Sequence, residues 1–413
     1  MTTSPSEQIT ALYGPRFTKD PTRVYEEIRR RHGPVAPVLL GGDVPAWLVL
    51  GYRELYQVTS DPERFARTSR HWHSWHRVSP DWSLRPYVEP QPSSILTDAE
   101  EHRRLSAPLH EALAAVDQVE LRAQIAQIAD RLIDDFVGRG TADLVASYTH
   151  RLPLLMLARL FGLPGHEVPG LVRDVALSAD RGHDAVRAHQ RIVRLMRALV
   201  RDKRHRPGAD LPSRILAHPR ALGDDEIATD LFLTLAAAQL TTADWMGNTL
   251  RLMLTDDRFA ITLSGGRRSI GQALNEVLWY EPPTQNFIGR FATADAHLGG
   301  QRIRRGDMLV LGLAAANTDP HARGPRRCPA GGDDGAVGNE AYLSFSHGEH
   351  GCPYPAQEIA TTLVHGGIEV LLDRLPDVHL AAGAPPLSWR QSVWMRGLTS
   401  LPVMFTPGPP GGA

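Results

Sequence analysis

The segment SFSHGEHGCPYPAQEIATTL, residues 344–363, decides how the rest of the chain is read. Cys352 is followed by Pro353 and Pro355, which suit the first turn of a helix. Ala356, Ile359, Ala360, Leu363, Val364, Gly367 and Leu371 then recur at helical spacing. The cysteine is therefore expected in a loop at a helix N-terminus, where backbone N–H groups and the positive end of the dipole favour a thiolate. Gly348 and Gly351 would let the backbone approach something flat and large. Two plainer readings stand beside this one. Cys352 is a buried, inert thiol, or it joins His347 and His350 on zinc. Closed zinc sites draw ligands from two separated pairs, and no second pair is visible.

The chain has 413 residues, 42% apolar and 22% charged, which is ordinary for a globular protein. Its formal net charge of -1 gives no global basic field for nucleic acid. No apolar run reaches the ~20 residues of a membrane span; Leu152–Leu163 and Leu231–Leu240 read as core helices. Two cysteines exclude a disulfide framework, and a reducing cytoplasm is the expected compartment. MTTSPSEQ lacks the apolar core of a signal peptide. Residues 1–10 are expected to be flexible, residues 11–406 to form a single domain, and the Pro/Gly tail 407–413 to be disordered. The Gly/Pro-rich loop His321–Gly338 leads into the cysteine segment, which suits one domain better than a boundary.

Val38–Leu40 and Trp47–Leu50 flank Gly-Gly-Asp, a hairpin signal. Helical patterns dominate from Glu101 to Tyr280. One runs from Asp224 to about Thr255 and opens on Asp224, Asp225 and Glu226, which favour a helix N-terminus; at 1.5 Å per residue it spans about 45 Å. Ile270–Tyr280 is a second helix, stopped by Pro282-Pro283. Short strands are expected around Phe287–Phe291, Arg302–Ile303 and Met308–Leu311, and Leu398–Phe405 reads as another hairpin arm.

The order Phe345, Gly348, His350, Cys352 resembles the haem-binding loop of the cytochrome P450 family. The resemblance runs along nearly the whole chain. WLVLGYRELYQVTSDPERF is similar to the family's N-terminal sheet and B helix, TDAEEHRRL to the C-helix entry and LAAAQLTTADWMGN to the middle of the long I helix. NEVLWYEPP is similar to the K helix, and GDMLVLGLAAANTDP to the strand and turn that follow it. The style is that of soluble actinobacterial members. The implied fold is mainly α with small β-sheets, a triangular body with haem between the long I helix and the loop and L helix of the cysteine. The implied cofactor is haem b.

The resemblance gives each residue a role. Cys352 would be the axial thiolate ligand of the iron, a ligand that favours O–O cleavage. His350, His102 and Arg290 sit where the family reaches the haem propionates; the plainer reading is a surface or satisfied histidine for each of the first two and a solvated strand-edge charge for Arg290. Phe345 would pack near the thiolate, with Gly348 in the same loop. Ala237 and Ala238 match the I-helix stretch beside the haem. Thr241 matches the I-helix threonine, whose hydroxyl would bond a backbone carbonyl or bound oxygen.

Four departures stand out. Glu276 is present in the K helix, but Trp279 replaces its arginine partner, as in a small actinobacterial subgroup; Glu276 then needs another partner, for which Arg323, Arg326 and Arg327 are candidates, and the indole N–H of Trp279 could donate a hydrogen bond. Leu240 stands where an acid usually precedes the threonine, so Gln239, water or the substrate would have to move the proton. Ser106 replaces the C-helix arginine unless Arg103 or Arg104 serves. Tyr354 replaces the glycine after the cysteine.

HWHSWHRVSPDW, residues 71–82, lies where the family covers its substrate. Trp72, Trp75 and Trp82 would line the pocket for an aromatic or polycyclic compound, or anchor a solvated loop to the core. Leu240, Leu398 and Thr399 match other lining positions. The function implied is a haem-thiolate monooxygenase that hydroxylates or oxidatively couples a small natural-product-type substrate. Electrons would come from a ferredoxin and its reductase, with Arg103 and Arg104 steering an acidic partner. The alternative is a haem-binding sensor or interaction protein of the same fold. No nucleic acid or membrane partner is expected.

Overall fold

The computed structural model describes residues 9–80, 82, 84–178, 183–256, 259, 268–321 and 339–411. The chain divides into two compact units.

The first unit takes in the chain up to Pro90, then Asn275–Cys352 and Ser388–Gly397. Its core is a six-stranded sheet in the order Thr10–Ala11, Val35–Leu40, Val44–Val49, Met308–Leu311, Phe287–Ala292, Phe65–Ala66. The expected hairpin around Gly41-Gly42-Asp43 is its antiparallel centre, with Leu40 opposite Val44. Val44–Val49 then pairs in parallel with Met308–Leu311. Alternation places Leu48, Val310 and Phe291 in one apolar cluster and Val49, Leu309 and Leu311 in another. Both faces are covered, which is why these strands read as nearly continuous apolar runs. Of the N-terminal stretch expected to be flexible, residues 1–8 lie outside the described residues, and Thr10 pairs with Val38.

The second unit takes in Gln91–Leu274, Pro353–Leu387 and the chain from Leu398. Its axis is the Asp224–Thr255 helix, the bounds the sequence predicts. Glu226 accepts a hydrogen bond from the Gly223 N–H at 2.9 Å and so caps the helix start. The helix packs against His183–His205, Arg151–Leu160 and the Tyr354–Arg374 helix that follows the cysteine. The last of these buries Ile359, Leu363, Val364, Gly367 and Leu371 of the residues picked out by spacing, and leaves Ala356 and Ala360 half-buried. The expected arm Leu398–Phe405 is shorter: only Pro402–Met404 is strand, and it pairs with Thr141–Asp143 and His379–Leu380. The tail expected to be disordered is seated as far as Gly411, whose N–H donates to Asp134 Oδ1 at 2.8 Å. No helix among the described residues is long and apolar enough to cross a membrane.

Candidate active site

In the first unit the cysteine loop closes on itself. The Cys352 N–H donates to the Phe345 carbonyl at 2.8 Å, and the Gly351 N–H to the Gly348 carbonyl at 2.9 Å. Ser346 and Gly348 both lie in the left-handed region, at φ 61° and 75°. A Cβ on Gly348 would stand 2.1 Å from the Thr59 carbonyl oxygen, so only glycine fits there. His347 stacks on Tyr56 with ring centroids 4.2 Å apart. Among the described residues no group of three or more metal-ligating side chains is assembled, so His347, His350 and Cys352 do not form a zinc site. Cys352 and His350 are half-buried. Burial pushes the Cys352 thiol up to about 12. Desolvation thus opposes the thiolate that the helix end is expected to favour.

The loop is tied to the Arg268–Tyr280 helix without the family's arginine. Trp279 is buried, and its indole N–H donates to the Asn339 carbonyl at 2.9 Å. Its ring meets Tyr342 edge-on at 5.8 Å. Asn317 does the rest. Its amide donates to the Leu278 carbonyl (2.9 Å) and Ser344 Oγ (2.8 Å), and its oxygen accepts from the Leu343 N–H (2.7 Å). Ser344 Oγ also donates to the Leu278 carbonyl. Sequence reasoning missed Asn317 and Ser344, although both fall inside the quoted blocks. Glu276 is half-buried; Arg323, Arg326 and Arg327, named as its candidate partners, lie outside the described residues.

Arg290 is 1% exposed, which replaces the solvated-edge alternative. It follows Gly289 (φ 96°), where the pairing of Phe287–Ala292 with Met308–Leu311 shifts register between Ile288 and Arg290. A bulge of this kind re-aims the next side chain. Arg67, also buried, braces the bulge: its Nη1 donates to the Gly289 carbonyl at 2.8 Å, and its guanidinium lies 4.9 Å from the Phe287 ring centroid. Nothing in the sequence singled out Arg67.

In the second unit, the long helix is buried throughout Thr242–Leu250 but exposed at Ala237 and half-buried at Ala238, Leu240 and Thr241. Thr241 Oγ donates to the Ala237 carbonyl at 2.6 Å, with the Ala238 carbonyl at 3.3 Å. Gln239, expected to stand in for the missing acid, instead donates its amide to the His150 carbonyl at 3.1 Å. Asp244, one turn after Thr241, is buried with Oδ1 3.7 Å from His150 Nε2. His102 is 5% exposed, and its Nδ1 lies 2.7 Å from the Ser94 carbonyl oxygen. Of the two residues considered for the role of the absent C-helix arginine, Arg104 pairs with Glu226 at 2.5 Å and Arg103 with Glu100 at 3.0 Å. Ser106 is buried and Thr399 exposed.

No family model matches the chain. Cytochrome P450-SU2 of Streptomyces griseolus is 30% identical over 416 residues, covering 98% of this chain and 98% of that protein. The chain belongs to the cytochrome P450 family. A second relative of this P450, the 2-hydroxy-5-methyl-1-naphthoate 7-hydroxylase of Streptomyces carzinostaticus, is 28% identical over 91% of this chain and 92% of its own. Among solved structures, "Testerone bound CYP154C4" from a Streptomyces species superposes with a TM-score of 0.85 at 26% identity, covering 98% of this chain and all of that one. The protein is thus a P450 monooxygenase with the P450 fold, and its cofactor is haem b.

The residues of this P450 fit that cofactor. A porphyrin brings four nitrogens of its own and asks the protein for a single axial donor, for which the thiol of Cys352 is chemically suited. A buried guanidinium at Arg290 and a buried, oriented imidazole at His102 suit propionate carboxylates. The small, uncovered Ala237 and Ala238 leave room for a flat ring. Of the two readings the sequence offered for the tryptophans, their burial supports the anchor and not the pocket lining. Trp72 and Trp82 are buried in the sheet's apolar cluster and Trp75 packs against it; Trp82 donates its N–H to the Gly41 carbonyl at 2.8 Å. Their faces are covered by one another and by Phe291, so they anchor the segment rather than line a pocket. Leu398 is likewise buried.

Proposed function

We propose that this P450 hydroxylates a small, largely apolar natural-product-type substrate, with Cys352 as the axial ligand and a ferredoxin with its reductase as the electron source. On this reading residues 11–406 act as one haem-thiolate domain in the cytoplasm. The observation that carries the proposal is the closed cysteine loop, in which the backbone bond from Cys352 to Phe345 and the side-chain-free approach at Gly348 present one sulfur from a fixed turn. Bound haem supplies the redox-active iron at which dioxygen is reduced and one oxygen atom passes to the substrate. The protein's part is positional. Cys352 Sγ would give up its proton on taking the axial position. His102, His350 and Arg290 would hold the propionates, and Phe345 would shield the sulfur. Thr241 holds its proton on the Ala237 carbonyl, which leaves its hydroxyl oxygen able to accept. Leu240, Ala237 and Ala238 present apolar surface to the substrate.

With the tryptophans buried, the support for an aromatic substrate is the naphthoate hydroxylase among the relatives. Reduced protein under carbon monoxide should show the red-shifted Soret band of thiolate-ligated haem, and Cys352→Ala should lose it. Naphthoic acids and polycyclic compounds should then shift the ferric spin state on titration. A wild type without the band sinks the assignment of Cys352.

A further inference from the structure

A buried polar chain in the second unit has no part in the reading so far. Asp230, on the long helix, is 3% exposed. Its Oδ1 accepts from the Ser94 N–H at 2.7 Å and from Ser94 Oγ–H at 3.0 Å. Its Oδ2 is buried and has no hydrogen-bond partner among the described residues. The carboxyl therefore directs its hydrogen bonds at Ser94 alone, and a buried carboxyl tied to one residue is costly unless that residue must be fixed. The other side of the Ser94 residue explains the tie. Its carbonyl oxygen lies 2.7 Å from His102 Nδ1. A carbonyl can only accept, so Nδ1 carries a proton, and Nε2 is the nitrogen turned to other partners.

The same region is clamped twice more. Glu226, one turn before Asp230, pairs with Arg104, two residues after His102. Arg220 donates to the Arg103 carbonyl at 2.6 Å. Those contacts hold the Ala99–Ala114 helix, whereas the Ser94 carbonyl meets the imidazole itself.

We infer that Asp230 is a positioning residue for His102: through Ser94, which it holds by the N–H and hydroxyl, it fixes the orientation and tautomer of the imidazole that meets a haem propionate. The inference rests on the proposed placement of haem. Asp230 itself touches neither haem nor substrate. Its carboxyl holds the Ser94 N–H and hydroxyl, the Ser94 carbonyl on the next peptide holds Nδ1–H, and the ring's second nitrogen is thereby aimed.

The test measures haem retention and the imidazole directly, in the full-length holoprotein. Haem transfer to excess apomyoglobin gives a loss rate for wild type, Asp230→Leu, His102→Phe and the double variant. Asp230→Leu and His102→Phe should each speed loss about tenfold, and the double variant should lose haem no faster than either, because both cut the same link. Asp230→Asn, which keeps an oxygen acceptor for Ser94, should stay within about twofold of wild type. Nitrogen-15 histidine spectra should show His102, assigned with His102→Gln, protonated at Nδ1.

Additive effects in the double variant, or wild-type retention in Asp230→Leu, overturn the inference. Should Asp230→Leu not fold, judged by melting of the haem-free protein, the Asn variant and the wild-type spectrum decide; a His102 protonated at Nε2 alone overturns it. A wild type that takes up no haem overturns the proposed function instead, which separates the two failures.

Discussion

Asp230 shows how one residue can make a stability curve. Burial pushes its carboxyl up to about 7, with Glu226 adding to the effect and the Ser94 bonds opposing it. In the unfolded chain the same group ionises near 3.8. Between these values the folded state keeps a proton that the unfolded state has lost, so this group's contribution to stability falls as pH rises from about 4 to about 7 and is flat above that. The slope is about 1.4 kcal/mol per pH unit at most. Asp230→Asn should remove the slope and leave the variant more stable than wild type at pH 8 and less favoured at pH 4; urea unfolding at the two values checks it. Gly348 gives a second prediction. Gly348→Ala must fit a methyl 2.1 Å from the Thr59 carbonyl oxygen at a positive φ, and should cost more than about 2 kcal/mol in thermal unfolding and release haem. At this scale the sequence was legible where chemistry is concentrated. Cys352, Gly348 and His102 stand out by type and spacing. Asp230, Arg67 and Asn317 do not, because their importance comes from burial and from partners more than 25 residues away, which spacing cannot reveal.

At the scale of the element, the long helix was readable to both ends because Asp224, Asp225 and Glu226 mark its start and its apolar pattern is continuous. The bulge at Gly289 was not, since register is a property of two strands and only one is visible in a local reading. The Arg268–Tyr280 helix was recognised but its anchoring was not. Trp279→Phe should cost about 1 kcal/mol, one buried hydrogen bond, in urea unfolding. Trp279→Arg should destabilise rather than restore the family's pattern, because the site offers Asn339 a neutral N–H and the helix is already tied by Asn317. Along the long helix, Leu240 cannot relay a proton, whereas Asp244 is buried against His150, whose side chain is 30% exposed. Asp244→Asn should lower ferredoxin-driven turnover at least about tenfold and change peroxide-driven turnover little, since peroxide brings its own protons. Equal losses in both assays would refute a role in proton supply.

For the whole molecule, order carried more information than any motif. Five short blocks, each weak alone, occur in the family's sequence along the chain, and the relative from Streptomyces griseolus matches over 98% of it. Composition said little: 45 basic against 46 acidic residues give no overall field, so partner docking must depend on local charge, and Arg103 and Arg104 are already engaged. Haem should act as a ligand of the folded state. Removing it should lower the melting temperature, adding haemin should raise it in a concentration-dependent way, and Cys352→Ala should blunt that rise.

The tryptophan cluster has an optical consequence. Trp72 lies 5.8 Å from Trp75 and 5.9 Å from Trp82, each pair tilted. Transition dipoles so close and so inclined couple as excitons. The protein should therefore carry a circular-dichroism couplet that Trp72→Phe erases, a built-in gauge of whether residues 71–82 stay seated while a substrate enters.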